Sequence, residues 1–258
     1  MARIAKALNL RRLPVLVIGL IAGLAFWEYG VVWASIPDYI LPAPSQFFNR
    51  FFETLPLQVE HLGITATTTL LGLALALILG VLLALLVVYV RPLKLLILPF
   101  LAAFNGIPKV AIAPLFVIWF GLGDEPKILL AFLMALFPIF VNAVTGLNEI
   151  EPDMINLARL FGGSEFRIFR KVRLIHALPH LTDALKVAFP LALVGSVVGE
   201  FIGGNRGVGY LILSAQFNLD TPLVFACLLA ITIFTSAGIG FVVLIEELAF
   251  AWRPSRRQ

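Results

Sequence analysis

The feature that most constrains this chain is a series of long apolar stretches that contain no charged residue. Residues 62–90, 128–148 and 221–245 form three such stretches, of 29, 21 and 25 residues. A helix of about 20 apolar residues is enough to cross the hydrocarbon core of a bilayer. With 60% of its 258 residues hydrophobic and only 13% charged, a soluble chain could not bury its apolar surface. The sequence therefore predicts an all-α, polytopic integral membrane protein.

Three further segments are apolar but carry a charge. Residues 93–120 carry Lys94 at their start and are interrupted further along only by Lys109, while residues 13–34 and the short stretch 187–202 each contain one glutamate. The segment 13–34 continues through bulky aromatic residues without a small-residue cleavage site, so we predict a span rather than a signal peptide. Six transmembrane helices are expected in total.

The distribution of basic residues predicts the orientation. With six spans, fifteen Lys and Arg residues fall on one side of the membrane and three fall on the other. Because basic residues are enriched in cytoplasmic loops, both termini are expected in the cytoplasm. The formal net charge of +4 is then mainly a consequence of topology, and we expect contact with membrane lipid but no nucleic-acid partner.

Polar residues at membrane depth are candidates for a translocation path or gate. The stretch 105–109 (NGIPK) predicts irregular backbone, which is tolerated in a span where it is buried in protein or lines a water-filled cavity. A kinked packing helix is the alternative. Lys109 and Glu200 have opposite charges at similar predicted depth, so either they neutralise each other, within one subunit or across a dimer, or Lys109 faces an anionic substrate. The candidate set is Asn105, Pro108, Lys109, Asn142 and Glu200.

Small residues recur at every fourth position of the second predicted span. In a membrane, such residues let two helices approach closely. We predict that this face packs within the bundle; sliding, or contact with a second copy, is the alternative. The residues are Thr68, Gly72, Ala76, Gly80 and Ala84.

The predicted cytoplasmic connection of residues 149–186 is too long and too patterned for a simple turn. Pro152 marks a helix start, Gly162 and Gly163 break that helix, and Ser164 can cap a second one. Apolar residues lie beside six basic residues in this segment. The pattern favours a docking surface or an interfacial helix on anionic lipid.

Within this connection, residues 156–164 (NLARLFGGS), 169–174 (FRKVRL) and 177–179 (ALP) resemble the EAA loop of ABC importer permeases. Residues 114–123, and 199–200 with 207–212, resemble sequences of the taurine, sulfonate and nitrate permease group. The loop departs from the family pattern at Asn156, Leu157, Gly163 and Ile175, where the family usually has Glu, Ala, Ala and Pro. The resemblance implies an ATPase-coupling loop with functional positions at Asn156, Ala158, Arg159, Gly162, Gly163, Ser164, Phe169, Val172 and Pro179.

For the whole chain, the resemblance implies the type I ABC importer permease fold in the inner (plasma) membrane. Residues 1–54 would hold the N-terminal tail, the first span and an external segment. Residues 55–252 would form the permease core, and 253–258 a cytoplasmic tail. The implied partners are a second permease copy in a homodimer, two cytoplasmic ATPase subunits that bind ATP and Mg, and an external substrate-binding protein. The implied cargo is a small anion such as taurine, a sulfonate or nitrate; a vitamin or pyrimidine precursor is the alternative.

Two other classes of protein fit the sequence less well. An enzyme is one: His176 and His180 have i,i+4 spacing, but no Glu follows His176 as in H-E-x-x-H, and the chain contains no G-x-x-x-x-G-K-[ST] sequence. We therefore expect no catalytic residue, metal site or cofactor in this chain. An ion-coupled secondary transporter is the other, and it usually shows inverted repeats and an ion-coupling site, neither of which is clear in the sequence.

Overall fold

The computed structural model describes residues 13–250, and every secondary-structure element within that range is helical. The predicted N-terminal tail and the tail 253–258 lie outside the described residues. A 3₁₀ turn at Lys109–Ile112 and a π-helical turn at Phe169–Arg173 accompany the α-helices. The helices are α1 Leu13–Trp33, α2 Pro44–Glu53, α3 Leu55–Tyr89, α4 Arg91–Asn105, α5 Ala113–Phe120, α6 Glu125–Asn148, α7 Pro152–Leu160, α8 Glu165–Ile168, α9 Leu174–Gly203, α10 Val208–Phe217 and α11 Thr221–Ala249.

Four helical segments are long and apolar enough to cross a membrane: Leu55–Tyr89, Glu125–Asn148, Glu165–Gly203 and Thr221–Ala249. A fifth is present if the bent pair α4 and α5 is counted as one span. The prediction of an all-α polytopic membrane protein is therefore confirmed. The count of six stays a prediction, because the apolar part of α1, Val17–Trp33, is shorter than these spans.

Two of the uncertain spans differ from their predicted form. The short stretch 187–202 is part of a continuous 39-residue helical segment, Glu165–Gly203, which makes the weakest prediction one of the longest helices. The stretch 93–120 is broken instead of continuous: Pro92–Asn105 and Lys109–Phe120 meet at an angle of 86°. Pro108 stands at the break, where proline disfavours helical backbone at the preceding residue.

The described chain divides into two compact units, residues 13–59 with 211–230 and residues 60–210 with 231–250. In the larger unit, α6 packs against α3 and α9 through small side chains. The buried core of this contact is formed by Ala76, Ala131, Ala135, Leu136, Ile139, Ala184, Ala188 and Ala192.

Glycines set the helix spacing in this unit. A Cβ atom on Gly72 would lie 2.5 Å from Cβ of Ala131, and one on Gly195 would lie 2.6 Å from the Leu130 carbonyl oxygen. Neither gap accommodates a methyl group, so the helices meet backbone to backbone. The predicted packing role of the small-residue face on the second span is confirmed.

The smaller unit is held by aromatic and polar contacts. Trp27, Phe47 and Phe225 form a cluster with ring centroids 5.6–5.9 Å apart. The Glu28 carboxylate accepts hydrogen bonds from the Ser45 amide, at 2.9 Å, and from its hydroxyl, at 2.7 Å, which satisfies a free donor at the start of α2. Outside the apolar helices, a 2.6 Å bond from Arg50 to Asp220 raises the pKa of that guanidinium.

Candidate coupling segment and membrane path

The break inside the predicted cytoplasmic connection is a Schellman turn, in which the chain leaves α7 through a left-handed residue. The amide of Gly163 donates to the Ala158 carbonyl and the amide of Gly162 donates to the Arg159 carbonyl, both at 2.9 Å. Gly162 has φ +73°, a conformation that glycine adopts without the steric cost of a Cβ atom. The predicted sequence of helix, glycine break and helix is confirmed.

The second helix begins as predicted. The Ser164 side chain accepts a hydrogen bond from the Arg167 amide, at 3.4 Å, and so caps the first turn of α8. Across the glycine turn, Arg159 Nε donates to Glu165 at 2.9 Å. Both side chains are more than half exposed, so this ion pair stabilises the turn only weakly.

Four large apolar side chains around the turn face solvent. Leu160 and Phe161 are 84% and 82% exposed, while Leu157 and Phe166 are 54% and 72% exposed. We call Leu157, Leu160, Phe161 and Phe166 the docking face. A contiguous set of exposed apolar side chains marks a site for another protein or for a membrane.

The nine positions implied by the family resemblance separate into two groups. Asn156, Arg159, Gly162 and Ser164 are exposed near the docking face, whereas Ala158, Gly163, Phe169 and Val172 are half-buried and Pro179 is buried. The Phe169 ring meets the Tyr89 ring edge-on, with centroids 6.0 Å apart. The segment 149–186 therefore has an outer face, which is exposed to solvent, and an inner face, which packs against the rest of the chain.

Sequence reasoning missed the residues that attach the inner face. Arg173 Nη1 donates to the Leu147 carbonyl and His176 Nδ1 lies on the Gly146 carbonyl, both at 3.0 Å. These partners are about thirty residues away in the sequence, so local spacing carries no signal for them. The sequence offered only a general expectation. The last carbonyl groups of a helix lack partners within that helix, so donors from another part of the chain are expected to meet them.

The break between α4 and α5 brings three of the predicted path residues together. Pro108 caps the 3₁₀ turn, and Lys109 Nζ donates to Asn105 Oδ1 at 2.8 Å. Asn105 and Lys109 also line a small hollow whose other walls are apolar. Those walls are Leu101, Phe104, Leu133, Leu136 and Phe137.

Asn142 lies apart from this group. Its side-chain amide donates to the Pro138 carbonyl one turn earlier in α6, at 2.9 Å. This is a local bond near a proline inside the helix, and it is not shared with Asn105 or Lys109.

Glu200 is fully buried and has partners of its own. Its carboxylate accepts hydrogen bonds from the Thr65 hydroxyl, at 2.8 Å, and from the Gly209 amide, at 2.7 Å. The Thr65 oxygen in turn accepts a bond from the Val208 amide at 2.8 Å. These bonds attach the turn 204–207 and the start of α10 to α3 and α9.

The pairing of Lys109 with Glu200 within one subunit is not formed in the described chain. A hydroxyl and a backbone amide satisfy the Glu200 carboxylate, and the broken helix turns Lys109 back onto Asn105. A second lysine, Lys127 in the first turn of α6, has a side chain only 3% exposed and bonds Asp124 at 2.7 Å. Gly199 packs closely against the Cα atom of Lys127.

Among the described residues, no group of three or more His, Cys, Asp and Glu side chains is arranged to hold a metal ion. The two histidines at i,i+4 spacing have ring centroids 5.6 Å apart, and His176 is engaged with the Gly146 carbonyl.

The chain matches a known family of transport proteins and is similar to several permeases. The family described as binding-protein-dependent transport system inner membrane component matches residues 76–249. The chain is 36% identical over 234 residues to the riboflavin transport system permease protein of Chloroflexus aurantiacus, covering 90% of this chain and 87% of the relative. It is 32% identical over 234 residues to the formylaminopyrimidine transport permease protein of Halalkalibacterium halodurans, covering 90% and 93%.

A third relative carries the predicted resemblance to sulfonate permeases. The putative aliphatic sulfonates transport permease protein of Bacillus subtilis is 31% identical over 239 residues, covering 90% of this chain and 85% of the relative. Permeases of this kind are non-catalytic membrane subunits; separate ATPase subunits hydrolyse ATP, and a binding protein delivers the solute. The chain therefore belongs to the binding-protein-dependent transport system inner membrane component family, and it is a multi-pass permease subunit of an ABC importer.

Proposed function

We propose that the segment 149–186 couples this permease to its ATPase subunits through the docking face. The observation that carries the proposal is the exposure of Leu160 and Phe161, at 84% and 82%, on a capped glycine turn with polar flanks. An apolar pair of this kind fits a groove on another protein, since burial of each large side chain contributes about 1.5–3 kcal/mol.

In the proposed cycle, two copies of this chain form a homodimeric pathway, and each copy contributes one coupling segment. ATP with Mg binds the two ATPase subunits, their closure moves the docking faces, and the pathway opens outward to receive solute from the external binding protein. Hydrolysis resets the inward-facing state. The excess of Lys and Arg on the side of segment 149–186 supports an orientation with both termini in the cytoplasm.

We propose further that the break between α4 and α5 lines the pathway. Lys109 and Asn105 are half-buried or exposed at an irregular point of an otherwise apolar span. Irregular backbone at membrane depth is tolerated where it lines a water-filled cavity. Asn142 and Glu200 remain path candidates with less support, because both have their bonds satisfied locally.

The proposed cargo is a small anion such as a sulfonate, taurine or nitrate. The cationic Lys109 at the break and the relative named for aliphatic sulfonates support this choice. A vitamin or pyrimidine precursor is the second candidate, since relatives at 36% and 32% identity are named for riboflavin and formylaminopyrimidine. Calorimetry with the cognate binding protein, titrated with taurine, nitrate, riboflavin and formylaminopyrimidine, separates the two classes.

The coupling proposal is tested by co-purification of the ATPase with a Leu160→Ser/Phe161→Ser double variant. We expect the ATPase to be lost from the purified complex while the permease itself remains folded and in the membrane. Met154→Ser is the matched control, because it removes exposed apolar surface from the same helix outside the docking face. Full retention of the ATPase by the double variant would contradict the proposal. Uptake that an uncoupler abolishes and vanadate does not would identify a secondary transporter instead.

A further inference from the structure

The inner face of segment 149–186 caps the end of a transmembrane helix. The last carbonyl groups of any α-helix have no partner within that helix. At the end of α6, the Gly146 and Leu147 carbonyls meet the His176 ring and the Arg173 guanidinium, both at 3.0 Å. Since a carbonyl only accepts, His176 donates here through Nδ1. The coupling segment thus supplies the cap that α6 lacks.

The same arginine contacts the end of a second span. Its guanidinium carbon lies 5.6 Å from the centroid of the Tyr89 ring, a distance typical of a cation–π contact. Tyr89 is the last residue of α3, and Phe169 packs edge-on against the same ring. Arg173 therefore joins the ends of α3 and α6 at one point.

One residue of the docking face, Phe166, lies on the helical segment that carries Arg173, and the other three precede the glycine turn. Residues Glu165–Gly203 form one helical segment that includes α8, the π turn Phe169–Arg173 and α9. Ile175 stands where related loops have proline, which would remove a backbone donor. Gly146 of α6 packs closely on this helix, since a Cβ built on Gly146 would lie 2.9 Å from the Ala177 Cα.

We propose that Arg173 is the positioning residue that transmits movement of the coupling segment to the inner ends of α3 and α6. The proposal rests on the proposed function, in which the ATPase moves the docking face. When that face moves, the helix beyond Ser164 moves with it. Arg173 then displaces the last turns of α3 and α6, which it contacts. Without Arg173, the ATPase still docks and hydrolyses ATP, but less of its movement is transmitted to α3 and α6.

The test is the amount of solute transported per ATP hydrolysed by the complete reconstituted transporter carrying Arg173→Gln. We expect this ratio to fall by about fivefold or more, the range of a typical coupling free energy, while the ATPase still co-purifies. Arg170→Gln is the matched control, because it removes the same charge from an exposed position of the same π turn and keeps the ratio of the parent. An unchanged ratio in an assembled Arg173→Gln complex would overturn the proposal.

A second pair of variants tests the role of Arg173 even if the Arg173→Gln complex does not assemble. Tyr89→Phe keeps the aromatic face and should transport as the parent does, whereas Tyr89→Leu removes it and should lower the ratio. Equal ratios for the two would overturn the role of Arg173. The two proposals fail separately: retention of the ATPase by Leu160→Ser/Phe161→Ser defeats docking, whereas normal coupling in Arg173→Gln and Tyr89→Leu defeats only the transmission.

Discussion

Two glycine turns in this molecule look alike in sequence but are held in opposite ways. Gly162 follows α7 and Gly207 follows α9; both have positive φ, +73° and +109°, and each precedes a short helix. The Gly207 turn is held from inside by the buried carboxylate of Glu200. At the Gly162 turn, a Cβ built on that glycine would meet open space; backbone hydrogen bonds close the turn, and the exposed Arg159–Glu165 pair crosses it.

The difference shows that a glycine turn with positive φ can be either fixed from within the protein or left exposed. A turn fixed by a satisfied buried carboxylate has one arrangement, because any other arrangement would leave polar groups without partners. A turn with open space and exposed apolar neighbours gains most from a second protein. A buried side-chain acceptor thus separates the Gly207 turn from the Gly162 turn, for which we propose a binding role, where glycine content does not.

The largest effect should follow from Glu200→Ala, which removes the internal support of the Gly207 turn. The Thr65 hydroxyl and the Gly209 amide would lose their buried acceptor, at a cost of about 2–4 kcal/mol in stability. Thermal unfolding of the purified complex in detergent measures the loss. Glu60→Ala, at an exposed position, is the control. A melting temperature equal to that of the parent would show that Glu200 does not support the turn.

A smaller effect should separate the two glycines directly. At Gly207, an alanine Cβ would collide with the Glu200 carboxylate in addition to adopting positive φ, so we expect a loss of about 2–3 kcal/mol. At Gly162 the space is open, and only the backbone cost of about 1 kcal/mol applies. The same thermal measurement compares Gly207→Ala with Gly162→Ala. Equal losses at the two sites would remove the distinction between the turns.

The smallest effect should come from Arg159→Gln, which breaks the exposed ion pair across the Gly162 turn. Both partners are more than half exposed, so stability should change by no more than about 0.5 kcal/mol. If this variant retains the ATPase, the ion pair is not needed for binding, and the apolar side chains supply the binding energy. A loss of stability as large as that of Gly207→Ala would mean that the ion pair holds the turn.

The sequence predicted those parts of the fold that depend on local pattern. Uncharged stretches predicted three of the spans, and Pro152, Gly162 and Ser164 predicted the two short helices of the coupling segment, since caps and breaks are local. The small-residue face on α3 was predicted to pack within the bundle, which its contact with Ala131 confirms.

The contacts of the charged residues could not be predicted in the same way. Lys109 and Glu200 were paired from opposite charge and similar depth, but the backbone break turned one onto Asn105 and a distant hydroxyl took the other. Arg173 and Tyr89 lie far apart in the sequence and meet only in the folded chain. Such partners depend on tertiary geometry, to which one sequence gives no direct access.

The most direct test of the central claim is a cross-link between Phe161→Cys and the ATPase in a complex that is transporting solute. The natural Cys227 is buried, so it should not compete with the introduced thiol. Phe217→Cys is the control, because Phe217 is 86% exposed but lies in α10, which we predict on the outer side. We expect a cross-link at position 161 and none at position 217. An active complex with no cross-link at position 161 would contradict coupling through the docking face.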